Sequence, residues 1–367
     1  MDKNYLKGLN TLRFFAAFFV ILAHGQISIW KLGFEKFKDV TIFSRNGDAV
    51  EFFFVLSGFL ITYLLQKEII KTGTISIRKF YLRRVFRIWP LYFLIVAIGF
   101  IFLGVLYPRF TGQRFFEFPL LKGLALFICF LPNLATSLYP AGMLFPLWSI
   151  GVEEQYYLFW APLVKLFRSK LTWLIIFFLV ITYTWYYLLI NGDLPFPDKI
   201  VHFLKTQKFY AMATGGFFGL IMCKYPERYR KSFFAGKFAQ WAVFVLLGYY
   251  YLIGPFPYLG EATGHFFLSG LYGLLILNSA LLEKTVINLE RQPFVYLGTI
   301  SYGLYMCHMM VDYILRFMAI HFHLERIGFT LLMPLYHIVL WAGSIGVASL
   351  SYRYYESYFL RLKERYA

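Results

Sequence analysis

Arg13 and His24 stand inside one apolar run, residues 12–30, that is otherwise fit for lipid. Eleven positions separate them, about 1100° of helix, so the two side chains fall within roughly 20° of one face and about 16 Å apart along the axis. Histidine near neutrality can take a proton from a hydroxyl or carry a covalent group, and a guanidinium can hold an anion or stabilise developing negative charge. An ionisable side chain inside a membrane span is costly and marks a cavity or a partner. Taken singly, Arg13 fits snorkelling to the interface and His24 fits a bond to a neighbouring helix. Their shared stripe makes function the preferred reading of the pair.

Four further constellations carry chemistry-bearing side chains. RRVFRIWP holds Arg83, Arg84 and Arg87, and the spacing of Arg84 and Arg87 puts two guanidinium groups on one helical face, suited to clamping phosphates. The same arginines equally serve as a cytoplasmic topology signal. PLWSIGVEEQYYLFW holds Trp148, Ser149, Glu153 and Glu154; neighbouring residues diverge by about 100°, so the two carboxylates cannot share one pocket. One of them is read as functional and the other as interfacial. VEFFFVLSGF puts Glu51 at a membrane boundary, with Ser57 and Gly58 read as helix packing. GTISYGLYMCHMMVDYILRF carries Tyr302, His308, Asp312 and Arg316. The last three are spaced by four, which predicts a structural stripe tied by hydrogen bonds and an ion pair. His321 and His323 have no carboxylate set nearby beyond Glu325, so no metal is assigned. GxSxG, P-loop and HExxH motifs do not occur in the sequence.

The elements that must position these groups are membrane helices. With 59% hydrophobic and 15% charged residues, the chain is too apolar for a soluble domain, and its runs of near twenty apolar residues exclude a barrel. The net charge of +17 is read as an orientation signal rather than a nucleic-acid surface. The basic cluster from Lys67 to Arg87 places that loop, and with it the N-terminus, in the cytoplasm. Residues 121–138 are broken by Pro132 and Asn133; if they spanned, the basic loops at Lys165–Lys170 and Lys224–Lys237 would lie outside. They are therefore read as a re-entrant or interfacial segment. The expected fold is an all-α integral membrane protein, a bundle of about ten transmembrane helices plus that segment. The spans are 12–30, 52–66, 90–107, 147–166, 171–190, 209–223, 238–253, 265–282, 295–320 and 329–351, with both ends cytoplasmic. Residues 1–367 read as a single domain. The run after Lys3 and Lys7 reads as a retained helix rather than a cleaved leader, and Cys129, Cys223 and Cys307 as packing residues.

Arg13 with His24, VEFFFVLSGFLI, RRVFR, WSIGVEEQYYL and SYGLYMCH, in this order, resemble the motif series of acyltransferase family 3. The resemblance covers nearly the whole chain. It implies transfer of an acyl group, acetyl by default, from acetyl-CoA or another acyl-CoA to a hydroxyl of an envelope or exported carbohydrate. It also implies residence in the cell (inner or plasma) membrane. His24 matches the family's catalytic histidine and Arg13 the arginine required with it; Glu153 matches the glutamate of its block and would orient His24 or bind the sugar. Arg84 and Arg87, with Arg83 beside them, match the residues that engage the donor, which acts as co-substrate with no bound cofactor. Glu51, Trp148, Ser149, Tyr302 and His308 are expected to support substrate or structure. The sequence departs from the family where Glu51 stands for Asp and Ile150 for Leu. Some relatives carry an SGNH esterase-like domain, which the chain is expected to lack. The rival readings are a transporter or flippase of lipid-linked glycan precursors and a membrane scaffold. Aromatic residues of outer loops, Phe115, Phe116, Tyr139, Phe256 and Tyr258, fit either sugar stacking or an interfacial belt.

Overall fold

The computed structural model describes residues 6–35, 37, 39–112, 120–192 and 194–366. Lys3, Lys36, Lys38, Arg114, Phe115, Phe116 and Glu117 lie outside them. Within this range the chain is helical and has no strand. The helices are α1 (Leu9–Lys31), α2 (Asn46–Thr72), α3 (Ile77–Ile101), α4 (Tyr107–Thr111), α5 (Leu120–Ile128), α6 (Pro132–Leu138), α7 (Leu147–Leu166), α8 (Leu171–Ile190) and α9 (Asp198–Thr206). They continue with α10 (Phe209–Lys224), α11 (Pro226–Arg230), α12 (Lys237–Leu252), α13 (Glu261–Leu281), α14 (Phe294–Thr299), α15 (Ser301–His321), α16 (Phe329–Ser351) and α17 (Ser357–Tyr366).

Among the described residues, six helical stretches are long and apolar enough to cross a membrane: Leu9–Lys31, Asn46–Thr72, Ile77–Arg109, Arg168–Ile190, Glu261–Leu281 and Phe329–Tyr366. Six, rather than the expected ten, therefore meet length and hydropathy. The other four expected spans coincide with α7, α10, α12 and α15. Of these, α10 and α12 have 16 residues each, about 24 Å at the helical rise, and α7 carries Glu153, Glu154 and Lys165.

Helices begin earlier or break elsewhere than apolar runs alone predict. α2 starts at Asn46 because Asp48 and Glu51, polar in sequence, are buried and paired. Arg83, Arg84 and Arg87 belong to α3 itself. That helix runs through Pro90, where Tyr302 donates to the carbonyl of Ile88 at 2.8 Å and Tyr355 to that of Pro90 at 3.1 Å. The expected span 295–320 is interrupted at Ile300, between α14 and α15.

Residues 121–138 form the two short helices α5 and α6, of 9 and 7 residues. Neither can cross a hydrocarbon layer of about 30 Å. The bend between them puts Phe130 at φ 55, a conformation uncommon outside glycine. It is held by ring contacts with Tyr92 at 4.6 Å and Trp89 at 5.0 Å, and by Gln155 Nε2 donating to the Phe130 carbonyl at 2.8 Å.

A close crossing joins α2 to α10. A Cβ on Gly58 would stand 1.9 Å from the Met212 carbonyl oxygen, and one on Gly215 would stand 1.9 Å from that of Val55. Backbone thus rests on backbone from both sides, the use of small residues that membrane helices favour. Gly58→Val and Gly215→Val are each expected to lower stability by at least about 3 kcal/mol, because neither clash can be relieved by a side-chain rotation. Thermal unfolding of detergent-purified protein checks this.

Candidate active site

His24 lies on α1 and is 8% exposed; His308 lies on α15 and is fully buried. His24 Nδ1 and His308 Nε2 are 2.9 Å apart, with the rings inclined by only 18°. His308 Nδ1 is 2.7 Å from the carbonyl oxygen of Tyr305, one turn back on its own helix. One turn further along both helices, Ser28 donates to Asp312 Oδ2 at 2.7 Å, and Tyr336 of α16 donates to Oδ1 at 2.8 Å. Two rungs spaced by four residues thus fix the register of α1 against α15. Two members of the expected stripe along α15 therefore reach other helices, His308 to His24 and Asp312 to α1 and α16, while the Arg316 guanidinium lies 4.5 Å over the Tyr313 ring of its own helix. Asn46 Nδ2, at the start of α2, is 3.4 Å from His24 Nε2.

The second station is cationic. Arg13, Arg84 and Arg87 lie within electrostatic reach of one another and of Glu153. The Arg84 guanidinium sits over the rings of Phe80 and Tyr157 at 5.8 and 5.7 Å, and Arg13 donates to Asn10 Oδ1 at 2.9 Å. Glu153 accepts from Ser57 at 2.9 Å and from Tyr157 at 2.7 Å. Ser57 thus contributes to the site as well as to the α2 packing surface assigned to it from sequence. Glu154 faces α3, where Trp89 Nε1 donates to it at 2.9 Å. Arg83 pairs with Glu68 at 3.2 Å. Arg13 and Glu153 thus belong with the arginines. Glu153 was a candidate for orienting His24; in the structure His308 contacts that ring.

Polar contacts occupy the interval between the stations. Ser149, one turn from Glu153 on α7, is 2.8 Å from the Tyr305 hydroxyl, which also donates to the Pro146 carbonyl at 3.0 Å. Trp148 packs edge-on against Phe54, and Tyr302 lies near the arginine end through its bond to Ile88. The ring of Phe145 meets His24 edge-on at 6.4 Å.

Glu51 is fully buried. It receives Lys208 Nζ at 2.8 Å, Ser269 Oγ at 2.7 Å and Tyr210 OH at 3.1 Å, with His265 Nδ1 at 2.9 Å. Asp48, Glu51 and His265 bring possible ligand atoms within 4.8 Å of one another. Lys208 and Arg45, the latter 3.4 Å from Asp48, already supply fixed positive charge there, so the group is best described as an ion network joining α2, α10 and α13. Lys208→Met is expected to cost about 3–5 kcal/mol by removing the lysine counter-charge of a buried Glu51, and Glu51→Gln/Lys208→Met to recover part of it. Urea or thermal unfolding of the single and double variants checks the pairing.

Sequence reasoning missed Lys208, His265, Tyr305 and Tyr157. Tyr305 had a signal, three residues before His308 within one motif; Lys208 and His265 only flank apolar runs, and their pairing with α2 is a long-range contact.

A family model described as an acyltransferase domain matches residues 6–353. The chain belongs to acyltransferase family 3. This acyltransferase is 25% identical over 331 residues to the putative peptidoglycan O-acetyltransferase YrhL of Bacillus subtilis, covering 83% of the chain and 48% of the relative. It is 27% identical over 176 residues to the peptidoglycan O-acetyltransferase OatA of Listeria monocytogenes, covering 45% of the chain and 25% of the relative. A putative acetyltransferase, ORF330 of Acidianus two-tailed virus, is 25% identical over 327 residues, 87% of either chain. The acyltransferase thus spans about half of YrhL and a quarter of OatA. No solved structure matches it. Family and helices together make it a multi-pass membrane protein.

Proposed function

We propose that this acyltransferase moves an acetyl group from acetyl-CoA, bound from the cytoplasm, to a hydroxyl of a cell-envelope carbohydrate. The observation that carries the reading is the pair of stations on α1: a cluster of three arginines at Arg13, and a buried imidazole pair at His24 about 16 Å further along the helix. Phosphates of the donor suit the arginines, which offer planar, bidentate donors. The pantetheine arm is a flexible chain that can carry the thioester from there toward His24. His24 then takes the proton of the acceptor hydroxyl, the oxygen attacks the thioester carbonyl, the C–O bond forms and the C–S bond breaks. The proton passes from His24 to the departing sulfur, leaving CoA as its thiol, so no proton is gained or lost overall. Arg13 stands too far along the helix to act on the same atoms as His24 and is assigned to the donor.

The basic residues from Lys67 to Arg87, from Lys165 to Lys170, from Lys224 to Lys237 and from Arg353 to Arg365 support a cytoplasmic face at the arginine end in the cell membrane, with both termini inside and about ten crossings. The names of YrhL and OatA make peptidoglycan the first acceptor to test. Detergent-purified protein supplied with acetyl-CoA labelled in the acetyl group and an envelope extract is expected to release CoA thiol and to label base-labile esters on glycan. Folded protein that neither binds nor consumes acetyl-CoA would overturn the reading.

A further inference from the structure

We infer that His308 is a positioning residue that locks His24 in one tautomer, with the proton on Nδ1 and the lone pair on Nε2. The inference rests on the acyl-transfer reading for its consequence, but its geometry is independent of the substrate. A backbone carbonyl only accepts hydrogen bonds. His308 Nδ1, 2.7 Å from the Tyr305 carbonyl, must therefore carry a proton. In the neutral ring that leaves His308 Nε2 as an acceptor, and the group 2.9 Å from it is His24 Nδ1. His24 Nδ1 is then the donor, and the single lone pair of His24 lies on Nε2, beside Asn46.

The arrangement follows the logic of a base oriented by a third group, with one difference. The orienting partner is a neutral imidazole anchored to main chain rather than a carboxylate. Among the described residues the nearest buried carboxylate on α15 is Asp312, and its oxygens accept from Ser28 and Tyr336. A charged partner would have to be desolvated beside His24, whereas His308 supplies an acceptor without a net charge. The Asp312 rung one turn away keeps His308 in register, so the relay runs from the Tyr305 carbonyl through His308 to His24. When His24 takes the hydroxyl proton on Nε2, its Nδ1–H bond to His308 is unchanged. Both imidazoles therefore hold their orientation through the proton transfer.

Two conservative substitutions separate this role from a structural one. His308→Asn puts an amide where Nδ1 lies and can keep the bond to Tyr305, but it leaves nothing opposite His24. His308→Gln puts an amide oxygen near the position of Nε2 and can accept from His24 Nδ1. The expected result is that His308→Asn keeps the donor KM within about threefold of wild type and loses kcat by about 100-fold or more, while His308→Gln recovers most of kcat. Equal activity of both variants, or recovery by Asn and not by Gln, would overturn the proposal. Nitrogen-15 spectra of protein labelled at histidine, assigned by a His24→Gln variant, give a second readout that needs no substrate. His24 is expected as the Nδ1–H tautomer in wild type and in His308→Gln, and as a mixed or Nε2–H form in His308→Asn. An Nε2–H tautomer in wild type refutes the positioning role even if the enzyme is active. The expected tautomer in a protein that does not turn over acetyl-CoA refutes the donor assignment alone.

Discussion

His24→Ala is expected to bind acetyl-CoA as wild type does and to transfer its acetyl group at least about 1000-fold more slowly. Loss of a positioned general base removes about 10²–10⁴ in rate, and the vacated space beside His308 also removes the group that would orient the acceptor oxygen. The substitution leaves the α1–α15 register held by Ser28 and Asp312, so the protein is expected to remain folded. Donor binding by equilibrium dialysis, alongside single-turnover transfer, checks both halves of the statement. Transfer at the wild-type rate in folded His24→Ala would exclude the imidazole from the reaction.

Arg84→Ala/Arg87→Ala is expected to weaken donor binding by about 100-fold or more. Charge-assisted hydrogen bonds contribute about 1.5–3 kcal/mol each, and a decade in affinity corresponds to about 1.4 kcal/mol. Removing two such groups outweighs any relief of repulsion between neighbouring guanidiniums. Arg83→Ala serves as the contrast: its guanidinium is engaged by Glu68 on α2, and donor affinity is expected to stay within about threefold. Titration of the three proteins with acetyl-CoA gives the ordering directly. Similar losses in Arg83→Ala and in the double variant would mean that bulk positive potential, rather than a shaped site, holds the donor.

Periodicity on α1 correctly placed Arg13 and His24 on one stripe, because helix geometry relates residues of one element without knowledge of its neighbours. What it could not give was how the stripe is divided. Arg13 joins Arg84, Arg87 and Glu153, whereas His24 joins His308, and only the placement of side chains from α3, α7 and α15 along α1 shows this. The spacing of His308, Asp312 and Arg316 was equally visible, yet His308 and Asp312 find partners on α1 and α16, and only Arg316 stays on α15, over the Tyr313 ring. The ion pair of Glu51 was not legible because its counter-charge, Lys208, is remote in sequence. Hydropathy placed helices wherever apolar runs were long, but α2 and α3 extend well into polar sequence where ion pairs and arginine contacts replace apolar burial.

The glycine contact between α2 and α10 has a mechanical consequence. Ser57, one residue from Gly58, reaches Glu153 beside the arginines, and Glu51, two turns earlier, takes Lys208 at the entrance to α10. Two helices touching through their main chains cannot slide in small increments, since each carbonyl already fills the notch opposite. This pair is a fixed post, and substrate entry and product exit must be accommodated by neighbours whose contacts run through side chains able to change rotamer.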